Sequence, residues 1–463
     1  MMRIPAIYRV CLALVTAIVL ILVACNKFDA GYSNPDDEWR SGGKQTVFDQ
    51  SSKAFGHPFP SLSETLERVH EIGDAQFSST FVSAPAPVNP GLGPIFNNVG
   101  CASCHIGDGR GKVPGTGEIS VLMLFRLSIA GEDPHGGPNP VPGYGDQLQN
   151  RGNIGVQKEG DVAISYNDKT FYFDDGTSYN LRFPTYTVIN TYTAFPADVM
   201  LSPRVAAPVF GLGLLEALSD ADILSRADEK DTDGDGISGK PNYVWNYTTN
   251  STTLGRFGWK ANQPNLLQQV AAAYNQDIGI TTSVFPREST LGQPQYDGRS
   301  DDPELIDSLL YSVEFYVKTL AVPGRRNATD AIVQQGKQLF MSAGCDKCHT
   351  PSMRTAVNVV FPDVSNQLIH PYTDLLLHDM GDSLADHRPD FLATGNEWRT
   401  APLWGIGLTQ KVNGHNNFLH DGRARSLMEA IMWHGGEALQ SRNKVKAMSS
   451  TERNALIKFL ESL

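Results

Sequence analysis

Two pentapeptides, Cys101-Ala102-Ser103-Cys104-His105 and Cys345-Asp346-Lys347-Cys348-His349, constrain this chain more than any other feature, because they place four of its six cysteines in one repeated spacing. Two thiols three positions apart on a helical turn can each add to one vinyl group of a porphyrin, while the imidazole that follows reaches the iron. Attachment and ligation then come from a single turn. One such copy could equally be a disulfide, a thioredoxin-like dithiol or half a zinc site. Two copies, each followed directly by histidine, point to two covalently bound haem c groups. Cys101, Cys104, Cys345 and Cys348 are then the attachment thiols, and His105 and His349 the iron ligands.

The other two cysteines lie near the N-terminus. Residues 1–24 carry Arg3 and Arg9, run apolar from Val10 to Val23 and close on Leu22-Val23-Ala24-Cys25, which is the layout of an export signal peptide. The alternative is a retained anchor helix, but the apolar run of about fourteen residues is short for the roughly 20 that cross a bilayer. The Leu-Val-Ala-Cys ending resembles a bacterial lipobox. It implies cleavage before Cys25, lipidation of Cys25, and a periplasm-facing lipoprotein of the bacterial cell envelope, tied to the membrane through that lipid. Loss of the leader takes Arg3 and Arg9 with it, so the net charge moves from −12 to −14. With that charge and no polybasic run, the chain has no footprint for nucleic acid.

At 463 residues, 41% of them apolar, the chain can hold roughly two to three domains. The expected fold class is mainly α: two cytochrome c-like haem domains, the first carrying loop-rich and β-hairpin insertions. Residues 25–88 read as a tether and N-terminal arm, 89–322 as haem domain I with a β insertion at about 150–195, and 326–463 as the C-terminal cytochrome c domain with haem II. The hairpin is read from β-rich segments flanking Asp174-Asp175-Gly176. The boundary is read from Val322-Pro323-Gly324, which breaks the helical stretch that follows Asp302-Pro303. Residues 327–343 form an amphipathic pattern leading into the second motif, with Gly336 where another backbone can approach. Ser449-Ser450-Thr451-Glu452 is a capping box opening a last helix that is expected to pack on it. Asp231, Asp233 and Asp235, alternating around Gly234 and Gly236, form the first half of an EF-hand-like loop and are candidate Ca²⁺ ligands. Asn242 stands where the bidentate glutamate would close that loop, and a solvated acidic turn is the alternative.

The stretches GLGPIFNNVGCASCHIGDGRG (91–111), GLGLLEAL (211–218), DTDGDGISG (231–239), GRFGWKA (255–261), PYTDLLLHDMG (371–381), EWRTAPLWGIGL (397–408), FLHDGRARSL (418–427) and MWHGGEA (432–438) together resemble the bacterial di-haem oxidoreductases. Members of that family are described as peroxidases or thiol oxidoreductases and are related to the di-haem cytochrome c peroxidases. In those peroxidases a His-x-Gly segment precedes the distal ligand of the second haem by fourteen residues. Here His420-Asp421-Gly422 precedes His434, so the resemblance implies a His349/His434 pair at haem II, where the relatives usually have methionine. Met380, His378 and His387 are the competing ligands. The resemblance also implies Trp259 as an inter-haem relay, Gln269 as a peroxide-holding residue ten positions on, and Asp277 as the distal acid, with Glu216 as a second candidate. His135, in a Gly/Pro-rich loop, is a candidate resting-state cap or a plain loop histidine.

The implied function is a peroxidase-like oxidoreductase that reduces peroxide at haem I with electrons passed through haem II from a small redox donor protein, a cytochrome or cupredoxin. The alternatives are a non-catalytic di-haem electron carrier and a radical-forming or oxygen-using di-haem enzyme. A thiol substrate is disfavoured, because no cysteine is left free for exchange.

Overall fold

The computed structural model describes residues 38–119 and 122–463. The leader and Cys25 lie outside the described residues. Residues Arg40–Leu463 form one compact unit, within which the 322–326 segment falls; Glu38 and Trp39 are the described part of a separate unit, Met1–Trp39.

The expectation of a mainly α fold is corrected: the chain is 28% helix and 20% strand, a mixed α/β architecture with many small sheets. Two physical reasons account for the difference. Both Cys-x-x-Cys-His segments are single 3₁₀ turns, Cys101–Ser103 and Cys345–Lys347, rather than parts of longer helices. Much of the chain read as loop pairs in two- or three-residue ladders, such as Leu377–Asp379 with Glu397–Arg399.

Helix α1 (Glu64–Phe77) lies where the arm was read as irregular, capped by Ser63. Strand β1 (Met123–Glu132) buries Met123, Phe125 and Leu127 in a core shared with Val162, Ile164 and Val205. The period of two sends Arg126 to the opposite face. Strands β2 (Asp161–Tyr172) and β3 (Ser178–Ile189) form one antiparallel hairpin, paired from Asp161↔Ile189 to Tyr172↔Ser178 around the Asp174-Asp175-Gly176 turn. Its far end reaches the C-terminal residues: Phe183 meets Trp433 at 4.7 Å between ring centroids, and the Arg182 N–H donates to Glu429 at 2.9 Å. Strand β4 (Met200–Val205) pairs antiparallel with β1.

Helix α2 (Leu266–Ala273) is capped by the Asn265 side chain and runs into a π-helical turn, Tyr274–Ile278. Helix α3 (Asp307–Lys318) packs on α1. The contact is close enough that a Cβ at Gly73 would meet the Ser312 carbonyl at 2.0 Å. Beyond α3, Val322–Pro323 pairs in parallel with Thr46–Val47. Helix α4 (Ala331–Ala343) leads into the second motif, α5 (Leu427–Trp433) ends at His434, and α6 (Ser450–Ser462) opens on the Ser449/Glu452 capping box. Helices α4 and α6 pack so tightly that a Cβ on Gly336 would sit 2.0 Å from the Ala455 carbonyl. The largest core joins Phe55, Phe210 and Tyr316 with Ile369, Leu375 and Trp404, so it draws on residues from both sides of the 322–326 segment.

Candidate functional site

The three motif-linked histidines share one arrangement. Burial holds His105 and His349 neutral, down at about 4, and lowers His434 as well. Each Nδ1–H donates to a main-chain carbonyl: His105 to Ala207 at 2.8 Å, His349 to Tyr372 at 3.0 Å, His434 to Ala430 at 2.8 Å. This fixes the tautomer and leaves the Nε2 lone pair to a metal. His434 is among the charges felt by His349, whereas among the described residues no second imidazole contributes at His105.

The four motif thiols are free and half-buried. Desolvation pushes Cys101 and Cys345 up to about 12 and Cys104 to about 11, and raises Cys348. A redox dithiol needs the opposite shift, toward thiolate.

One internal cavity runs from Ala207, whose carbonyl holds His105, past Trp259 to Cys345, Cys348, His349 and His434. Trp259 is pinned in its wall by Nε1–H to the Val205 carbonyl at 2.9 Å. Arg110 and Arg399 also line it. Arg110 donates to the carbonyls of Asn417 and Leu419, and Arg399 to those of Gly258 and Thr400. Among the described residues neither guanidinium has a carboxylate within ion-pair distance. Burial draws both down to about 10, with the more distant Asp374 charge opposing it at Arg399 and, among the described residues, no such charge at Arg110. A cation left inside without an anion is costly, so the cavity is built for a ligand that brings negative charge. Paired thiols, a free imidazole lone pair, an apolar wall and unneutralised guanidinium groups suit a haem with its two propionates.

Polar chemistry gathers on the other side of the first motif. Asp277, in the π-helical turn, accepts from Gln147 Nε2 at 2.8 Å, and its carbonyl accepts the N–H groups of Asn97 and Asn98, just before Cys101. Burial raises its carboxyl, with Arg126 and Gln147 opposing, and its charge acts on Cys101 and Cys104. Arg126 in turn bonds Gln276. Gln269 is half-buried on α2, the helix that runs into the π-helical turn carrying Gln276 and Asp277.

The other candidates have other work. Glu216 accepts from the Leu266 N–H at the start of α2 at 2.8 Å and pairs with Lys318 at 3.0 Å. His378 is held at both nitrogens, by Asp374 at 2.9 Å and Glu437 at 2.7 Å. Burial opposes its charge, but Cys348, Asp374 and the bonds to them outweigh it and raise the group well above its ordinary range. As an imidazolium it has no lone pair for iron. His387 is exposed at φ 58°. His135 is exposed and stacks on Trp245 at 4.3 Å. Met380 lies in the cavity wall. Among the acidic loop residues, Asp228, Asp231 and Asp233 converge with carboxylate oxygens within 4.8 Å of one another, whereas Asp235 pairs with Lys347 of the second motif at 2.5 Å.

Sequence reasoning missed Arg126, Gln147, Asp228 and the cavity pair Arg110/Arg399. It also missed the stacking of Trp398 on His420, at 3.7 Å and 12°. Arg110, Trp398, Arg399 and His420 all lie inside the stretches that carried the resemblance, which was the available signal. Gln147 carried none.

No helix among the described residues is long and apolar enough to cross a membrane. Neither the curated proteins nor the solved structures contain a match to this chain. Residues 36–463 do match a family described as "Di-haem oxidoreductase, putative peroxidase", and on that coverage the chain belongs to this di-haem oxidoreductase family.

Proposed function

We propose that this chain is an exported, lipid-anchored enzyme that reduces peroxide at its first haem site with electrons delivered through its second. Cys101 and Cys104 would bind one haem covalently with His105 as ligand. Cys345 and Cys348 would bind the other, with His349 and His434 as its candidate ligands. Bound haem supplies the one-electron redox steps and the electrophilic iron at which the O–O bond is cleaved.

The chain's own residues supply protons, position and insulation. Reduction of hydrogen peroxide to two waters takes up two electrons and two protons. Asp277, with its carboxyl raised by burial, can accept a proton from one peroxide oxygen and return it to the departing one. Gln147 orients that carboxyl and Arg126 balances its charge. Gln269, on the helix that leads into the turn bearing Asp277, would hold the bound peroxide. Trp259 stands in the wall of the cavity beside the second motif, bonded to the Val205 carbonyl, and would carry electrons between the two sites. Glu216 keeps its place at the start of α2 and takes no proton.

The observation that carries this reading is the asymmetry of the two motifs: His349 shares its surroundings with a second neutral imidazole, while the first motif faces a buried acid on an amide and guanidinium scaffold. A small cytochrome or cupredoxin with a basic docking patch suits the acidic surface as donor. Asp228, Asp231 and Asp233 would hold a Ca²⁺ ion beside the second motif.

Replacing Asp277 by Asn should cut peroxide turnover by about 10²-fold or more, with the second haem's optical spectrum unchanged. A variant as fast as the parent would contradict the role.

A further inference from the structure

The loop between Met353–Arg354 and Leu368–Ile369, two short paired strands, shows three bare valines. Val357, Val359 and Val360 are 76%, 85% and 91% exposed. From Thr355 to Pro362 the loop carries no charge. It is a fixed protrusion. The Asn358 side chain accepts the N–H groups of Val360 and Phe361, the Ala356 N–H donates to the Ala217 carbonyl, and Phe361 packs between Phe59 and Phe315. Presenting three adjacent valines to water has no benefit for folding, so an ordered apolar tip of this kind marks a contact surface.

The base of the loop shows what the contact is. The chain enters the compact unit alongside it: the Ser41 carbonyl accepts from the His370 N–H at 2.7 Å, the Lys44 N–H donates to Gln367 at 3.0 Å, and Gln45 Nε2 donates to the Asp363 carbonyl at 2.7 Å. Fifteen residues separate Arg40 from Cys25, a contour of at most about 50 Å. Lys44 and Arg354, both exposed, stand at this base, where the loop's one carboxylate, Asp363, is half-buried and bonded by the Ser61 hydroxyl. An uncharged apolar tip with cations behind it has the layout of a segment seated at the headgroup boundary of an anionic bilayer.

We propose that the Val357–Val360 loop inserts into the surface of the membrane that holds the lipid on Cys25, and so fixes which face of the enzyme meets the bilayer. This rests on the lipid-anchor reading.

The test uses the full-length lipoprotein with Val359→Cys carrying an environment-sensitive fluorophore, and Ile154→Cys as a remote exposed control, on phosphatidylcholine/phosphatidylglycerol vesicles. Flotation reads the anchor and the label reads the loop. The expected result is flotation of both proteins, with quenching of the position-359 label by an aqueous quencher falling about threefold or more and the position-154 label unmoved. Introducing Val357→Asp and Val360→Asp beside the label should restore quenching while flotation persists. Flotation with the position-359 label fully quenched would overturn the loop contact and leave the anchor standing. Failure to float would overturn both. Protection that rises with protein concentration in the absence of vesicles would overturn the membrane contact in favour of a second copy of the chain.

Discussion

His349 and His378 show how one residue type is given opposite tasks beside the second motif. His349 and His434 are held neutral by burial, while His378, bonded by Asp374 and Glu437, is raised well above its ordinary range. Burial pushes Glu437 up, but His378 and Ser238 outweigh it and hold the carboxyl at about 2 against an ordinary 4.5. The unfolded chain therefore takes up that proton first as pH falls. The share carried by Glu437 is complete above about pH 4.5 and is lost toward pH 2, while the share carried by His378 is complete below its ordinary 6.5 and is lost as pH rises through its raised value. Glu437→Gln should remove on the order of 2–3 kcal/mol at neutral pH. Denaturant titrations at pH 6 and pH 3 should then show a smaller pH dependence in the variant; equal slopes would contradict the pairing. Arg399 makes a second case. A buried cation favours the reduced, more negative form of a neighbouring redox group, so Arg399→Met should lower one haem midpoint potential by tens of millivolts, on the order expected for one charge in a partly dry site. An unmoved potential would take Arg399 out of the cofactor's surroundings. At this scale the motif cysteines and histidines could be singled out because the haem attachment expected of them demands fixed spacing. Gln147 and Arg126 were not, since they reach Asp277 from strand segments more than a hundred residues away.

Among the elements, the α4/α6 pair was legible from local signals alone: a capping box, a helical period and a glycine at the crossing. Gly336→Ala should cost about 1–3 kcal/mol, because the methyl would overlap the Ala455 carbonyl. The neighbouring exposed substitution Gln335→Ala should change stability by less than about 0.5 kcal/mol. Equal effects in thermal unfolding would mean that the helices do not meet at Gly336. Helix α1 was not legible because its buried stripe is His70, Gly73 and Gln76 rather than an apolar row. The long hairpin was legible from alternation about a turn. The two-residue ladders were not, because pairing across the chain leaves no period in either partner.

For the molecule as a whole, membership of the family was readable from the resemblance of eight stretches and the expectation of two haems from two repeated motifs, while the architecture was not. A chain of 3₁₀ turns, short ladders and loops around a core drawn from both sides of the 322–326 segment carries few helical periods to read. What the whole fold achieves is a difference between two similar motifs, one facing an imidazole and the other an acid. The most direct test is the electron paramagnetic resonance and optical spectrum of the purified holoprotein, fully oxidised and after one-electron reduction, with and without cyanide. The expected result is one low-spin iron with two imidazole ligands that ignores cyanide, lost on His434→Ala, and one iron that takes up cyanide after reduction of its partner. Two low-spin irons unmoved by cyanide in either state would contradict an open first site and leave a di-haem electron carrier.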